Sequence, residues 1–140
     1  MKISRFEDLE CWKEARILVQ QVYNVTRNKE FNRDFRLAGQ IQAASISVMA
    51  NIAEGFVRKS DKEFIQFLFI GMSSAAEVQS HLYVALDLNY ISDEQFRTIY
   101  SQADKTARII SALIKHLRAS HLPGGSTRET RQTRQTRQTK

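Results

Sequence analysis

Apolar residues return along this chain at steps of three and four, and the rhythm holds over four long stretches. That period is the signature of amphipathic helices. The first stretch runs from about Phe6 to Asn28. Phe6, Leu9, Trp12, Ala15, Leu18, Val19, Val22 and Val25 fall on one face, with Lys13, Arg16, Gln20, Asn24 and Arg27 opposite. Lys29 to Asp34 is polar and reads as a connection. The second stretch runs from about Phe35 to Val57, with Leu37, Ile41, Ala44, Val48, Ile52 and Phe56 on one face and Gly55 as a candidate stop signal. The third starts at Ser60, where Ser60 and Glu63 form an S-x-x-E capping pattern, and continues to about Asn89. Its main face is Phe64, Phe67, Leu68, Gly71, Ala75, Val78, Leu82, Ala85 and Leu86. Ile65, Phe69, Met72 and Tyr83 widen the apolar surface, which predicts burial on two sides. The fourth starts at Ser92 and Gln95, with Asp93 and Glu94 at the positive end of the helix dipole, and runs to about Ala119. Phe96, Ile99, Tyr100, Ala103, Ala107, Ile110, Leu113, Ile114 and Leu117 form its inner face.

The chain has one proline, Pro123, and only five glycines, so these stretches run almost without breakers. Short connections between long helices favour antiparallel neighbours. The expected fold is all-α, an antiparallel up-down-up-down four-helix bundle over residues 1–120. Residues 121–140 repeat Arg-x-Thr after Arg128 without an apolar residue, and this composition predicts a disordered basic tail.

Charge changes the picture less than the total suggests. The net charge is +6, but the last twenty residues hold five cations against Glu129, a net +4, leaving +2 for the other 120. A basic pI therefore says little about the folded part. Cys11 is the only cysteine, which excludes an internal disulfide and a multi-cysteine zinc site and fits a reducing cytoplasm. It reads as a small apolar filler. The opening MKISRFEDLE has charges where a secretory signal needs an apolar run, and the charge-free stretches Leu37 to Ala53 and Phe64 to Ala76 do not suit a bilayer span. A cytoplasmic protein without a membrane partner is expected.

Catalytic chemistry finds no foothold in the sequence. Glu77 and His81 share a helical face, but His116 and His121 lie far along the chain, and no Glu-x-x-His pair occurs. Ser45, Ser47, Ser73 and Ser74 have no evident base and orienter. No phosphate-cradling glycine loop is present. No enzyme, no metal and no cofactor is expected.

Three patterns point to binding instead. Gly39, Ala43, Ser47, Asn51 and Gly55 recur every four residues, a ridge of small side chains answered by Gly71, Ser74, Ala75 and Ala76. Such ridges let helices approach closely, within a bundle or across a subunit seam. Asn51 and Glu54 interrupt an apolar stretch, so a buried hydrogen-bonded knot with Arg58 or Lys62 is expected. Arg97, Lys105, Arg108, Lys115 and Arg118 fall on the outer side of the fourth helix, and Arg58, Lys59 and Lys62 cluster at the preceding turn. These cations form either a solvated face or a phosphate-contacting surface.

Particular residues carry a family resemblance over about residues 5–118. They are Phe6-Glu7-Asp8-Leu9, Trp12 and Ala15. Next comes Leu37 to Gly55, with Gln40, Ala43-Ala44, Ser45 and the run Asn51-Ile52-Ala53-Glu54-Gly55. Arg58, Ser60, Phe64, Leu68, Ser74, Glu77, Leu86, Tyr90 and Ile91 follow. The chain resembles the four-helix bundle protein family encoded in intervening sequences of 23S rRNA genes. It is similar to the accessory variability determinant proteins of diversity-generating retroelements. Gln42 stands where that family often has a basic residue, and Ala50 where it often has serine; the tail matches nothing in the family pattern. The resemblance implies a non-enzymatic bundle assembled as a homo-oligomeric ring, a homopentamer. It also implies binding to RNA or DNA, with a reverse transcriptase as protein partner in the retroelement relatives. The expectation drawn from it is an oligomeric nucleic-acid-binding adaptor, with a plain protein–protein interaction bundle as the alternative.

Overall fold

The computed structural model describes residues 3–120. They are helical throughout, with no strand among them. A single 3-10 turn, Phe6–Asp8, leads into α1 (Glu10–Thr26), a short α2 (Lys29–Arg33), α3 (Phe35–Phe56), α4 (Asp61–Asp87) and α5 (Asp93–Ala119). The predicted basic tail lies outside the described residues.

The four long helices bury one shared core, and their buried positions alternate steps of four and three. In α1 these are Cys11, Ala15, Leu18, Val22 and Val25. In α3 they include Ala38, Ile41, Ser45, Val48, Ile52 and Gly55. In α4 they include Phe64, Leu68, Gly71, Ala75, Val78, Leu82 and Ala85, and in α5 they are Ile99, Ala103, Thr106, Ile110, Ile114 and Leu117. That alternation is the seam of helices packed side by side as a bundle. α1 packs on α3 and α5, and α4 packs on the same two. The contacts run in opposite chain directions: Ser47 meets Ser74, while Gly55 lies over Phe64 and Phe67 further along α3. Two buried hydroxyls donate within their own helix: Ser45 to the Gln42 carbonyl and Thr106 to that of Gln102, both at 2.8 Å.

The ends explain the element boundaries. Ser92 and Gln95 form a reciprocal capping box, the Ser92 N–H donating to Gln95 Oε1 at 2.9 Å and the Gln95 N–H to Ser92 Oγ at 3.1 Å. Ser60 accepts from the Glu63 N–H, but its hydroxyl also donates to the Glu63 carboxylate, so the second half of that box does not form. α4 closes through Asn89 at φ 60°, with the Tyr90 N–H on the Ala85 carbonyl and the Asn89 N–H on that of Leu86. This is a Schellman closure, which asparagine tolerates better than most residues.

Three sequence expectations are corrected. The first long helix starts at Glu10 because Phe6–Asp8 forms its own 3-10 turn. The polar stretch Lys29 to Asp34 contains a helix, capped by Asn28 and fixed by fully buried Phe31, which stacks on Tyr90 at 5.3 Å. Gly55 does not end α3; it sits within its last turn as a packing residue, and Val57 is the cap.

Candidate nucleic-acid interface

The eight cations singled out in the sequence are all exposed, but they do not form one row. Arg97 and Lys115 are eighteen residues apart on α5, about 27 Å along the axis. Between them, Lys105 is held by Glu14 of α1 at 3.1 Å, and Arg108 by Asp104 at 3.3 Å. Glu14 also accepts from Gln102 Nε2, at 2.9 Å through its backbone carbonyl and 2.7 Å through its carboxylate. That hydrogen bond first, and Lys105 second, hold the Glu14 carboxyl below the usual range. Lys105 thus ties α5 to α1. The Asp104–Arg108 pairing was legible as an i, i+4 spacing, whereas Glu14 is remote in sequence.

Of the remaining cations, Arg97 lies at one end of the bundle, and Arg58, Lys59, Lys62, Lys115 and Arg118 gather at the other. The Arg58 guanidinium lies over the Phe67 ring, 4.7 Å from its centroid, and that of Arg118 over Phe69 at 5.2 Å. Both rings belong to the early turns of α4, so the two arginines flank that helix from the α3–α4 turn and from α5. Lys59 and Lys62 border the same turn, and Lys115 is one turn back from Arg118 on α5. Beyond Asp104, α5 carries Lys105, Arg108, Lys115 and Arg118 and no acid. The acids at this end are Glu54, Asp61 and Glu63, with Glu7, Asp8 and Glu10 on the α1 side. At the opposite end Arg27, Lys29, Arg33, Arg36 and Arg97 are matched by Glu30, Asp34, Asp87, Asp93 and Glu94. Sequence reading placed Phe67 and Phe69 among the apolar positions and missed them as arginine platforms.

The expected knot exists only in part. Asn51 Nδ2 donates to the Ser47 carbonyl at 2.8 Å and to Ser47 Oγ at 3.0 Å, and that hydroxyl meets Ser74 Oγ at 2.8 Å. This polar ladder joins α3 to α4. Glu54 is not in it: the side chain is exposed and makes no ion pair with Arg58 or Lys62. The reason is angular, since Glu54 lies three residues past Asn51 and rotates out to solvent while Ile52 and Gly55 turn inward. Gly55 is where α3 and α4 come closest. A Cβ there would lie 2.6 Å from Phe67 Cβ and 2.9 Å from Phe64 Cδ1. Gly71 would meet only ordinary contacts, and Gly39 nothing within 4 Å. The small-residue ridge therefore twists from the α4 interface at Gly55 out to solvent at Ala43 and Gly39.

Other reactive groups are quiet. Burial pushes the Cys11 thiol up to about 12. His81 contacts Glu77 at 3.2 Å, and His116 is exposed; His121 lies outside the described residues. Among the described residues no three His, Cys, Asp or Glu side chains gather as a metal site, and no helix is long and apolar enough to cross a membrane.

The pattern of the family described as 23S rRNA-intervening sequence protein matches residues 7–112, spanning most of α1 to α5. The chain belongs to that family. Its fold is similar to the crystal structure of a protein of unknown function from the S23 ribosomal protein family of Bacteroides thetaiotaomicron. The TM-score is 0.70 at 23% identity, covering 75% of this chain and 98% of that one. No curated protein matches. Within this 23S rRNA-intervening sequence family member, Gln42 is half-buried and donates from Nε2 to Thr26 Oγ1 at 2.9 Å. The residue that departs from the family habit thus serves as a neutral tie between α1 and α3.

Proposed function

We propose that this chain is a non-enzymatic, homo-oligomeric adaptor that binds nucleic acid through a cluster of cations at one end of an antiparallel up-down-up-down four-helix bundle. The observation that carries the reading is the convergence of Arg58, Lys59, Lys62, Lys115 and Arg118, from the α3–α4 turn, α4 and α5, at one end, with Arg58 and Arg118 over the Phe67 and Phe69 rings. Clustered lysine and arginine contact phosphates and release counterions, whatever the base sequence. The opposed chain directions of the α3–α4 contacts support the antiparallel order. Self-association is the use we assign to the charge-poor outside of α3, where Gly39, Ala43 and Ile46 face outward. A ring of five is the number implied by the family resemblance, and a ring would repeat the cation cluster multivalently. The same resemblance suggests a retroelement reverse transcriptase as protein partner and a cytoplasmic site of action.

The Arg-x-Thr tail would bind phosphates by itself, so the test uses the chain ended after Leu122. It is expected to bind RNA or DNA with an affinity that falls steeply with salt. Lys115→Glu with Arg118→Glu should weaken binding at least ~10-fold, and Arg97→Glu much less. Absence of binding at low salt would replace this reading with the protein–protein interaction bundle, which the charge-poor α3 surface by itself favours. A reverse transcriptase gene beside this one, or an interrupted rRNA gene around it, decides the partner.

A further inference from the structure

The outer face of α4 beside α5 has more than charge. Its line of contact runs from Arg118 over Phe69, past Gly71 against Ile110, to the Gln79 side chain on the Tyr100 carbonyl, and ends where Tyr83 meets Phe96 and Tyr100. Two aromatic side chains remain open along it: Phe69 is 43% exposed and Tyr83 52%. They are fourteen residues apart, about 21 Å along α4. Between them the exposed positions on this helix are Ile70, Ser73, Ala76, Glu77 and Ser80, of which the small, uncharged Ser73, Ala76 and Ser80 share the side of the two rings. Tyr83 is braced by Phe96 at 4.9 Å and Tyr100 at 6.0 Å, both edge-on, and those two rings stack on each other at 5.4 Å. Lys62, Lys115 and Arg118 lie at the Phe69 end. Near Tyr83 are Asp87 and Arg97, and Asp104 is engaged by Arg108.

We propose that this face of α4 beside α5 takes single-stranded nucleic acid, with bases stacking on Phe69 beside Arg118 and on Tyr83, and phosphates drawn to the Phe69 end. The proposal rests on the nucleic-acid reading above and narrows its substrate class. A duplex hides its base faces and is held by dense phosphate contacts. Here Lys105 and Arg108 already have carboxylate partners, whereas the exposed rings have open surface. Sparse cations beside braced aromatic side chains are what a strand with unstacked bases requires.

The test measures binding of the full chain to an oligo(dT) of ~12 nucleotides, to the matching duplex, and to two base-free polyanions, inorganic polyphosphate and poly-glutamate. Phe69→Leu and Tyr83→Leu keep apolar bulk but remove the ring. Each is expected to weaken oligo(dT) binding about 5- to 10-fold with polyphosphate binding and salt slope unchanged. Arg118→Gln should lower both polyanion and oligo(dT) binding and flatten the salt slope. Equal binding of duplex and single strand, or silence of both leucine variants, overturns the stacking proposal and leaves the phosphate reading standing. Binding of poly-glutamate as tight as that of oligo(dT) overturns it in favour of an acidic protein partner. No binding of any nucleic acid removes the parent reading as well. Circular dichroism and light scattering of each variant must match wild type for these comparisons to count.

Discussion

The outside of α1 and the outside of α3 obey different rules. In α1, Lys13, Arg16 and Gln20 alternate with the core positions, and Glu14 turns to meet α5. α3 has only Arg36 and Glu54 as charged residues in its 22, and its exposed positions include Gly39, Ala43 and Ile46. A helix sharply divided into wet and dry faces is finished by the bundle. One that is small and apolar outside as well as inside has a second surface to cover. We read α1 as complete within one subunit and α3 as a helix awaiting a neighbour.

The largest effect should come from charging that outer surface. Ala43→Glu on α3 is expected to reduce the oligomer to a species near the 16.2 kDa chain mass in light scattering, whereas Lys13→Glu on α1 leaves the mass unchanged. A monomeric wild type would end the comparison outright. Next come the two ends of the glycine ridge. Gly55→Ala forces a Cβ against Phe67 and Phe64 and should destabilise by ~2–3 kcal/mol in urea unfolding. Gly39→Ala meets nothing within 4 Å and should stabilise an isolated subunit by up to ~1 kcal/mol through helix propensity. If Gly39→Ala instead lowers the oligomer mass, the seam reaches that turn.

A smaller effect is expected on the finished side. The Glu14 carboxyl is held low by Gln102 and then Lys105, so its contribution is present above the ordinary carboxylate pKa of ~4.3 and is lost as pH falls through the lowered folded value. Glu14→Gln should lower the melting temperature by about 3 °C at pH 7, and the gap should close in acid. A gap of constant size from neutral pH to strong acid would mean that the contact is structural without its charge. Smallest of all is Glu54→Ala, which should change stability by less than ~0.5 kcal/mol in the monomer; a larger loss confined to the oligomer would place Glu54 at the seam.

The same contrast decides what could be read in advance. The inner faces of α1 and α5 were legible because polar residues mark the opposite side, and Ser60 and Ser92 announced their helices through local hydrogen-bond chemistry. On α3 the pattern carries no such marker, so periodicity alone did not fix its rotation, and Glu54 was expected inside where the structure turns it outward. α2 was missed because one apolar residue, Phe31, gives no period to detect; the caps Asn28 and Asp34 were the available signal. The pairing of Lys105 was hidden because Glu14, which holds it, lies in the first long helix and Lys105 in the last.

Asp34 shows how far one side chain organises the charge-balanced end. Its Oδ1 accepts the Leu37 N–H and its Oδ2 the Tyr90 hydroxyl, so the start of α3 is tied to the turn before α5. Cys11 has a different consequence. A lone thiol, fully buried in α1 and held protonated to about pH 12 by that burial, cannot react with an alkylating reagent from the native state. Each labelling event then counts one excursion in which α1 leaves the core. The chain carries a built-in clock for its own opening, and adding partner subunits or nucleic acid will slow that clock only as far as either holds α1 in place.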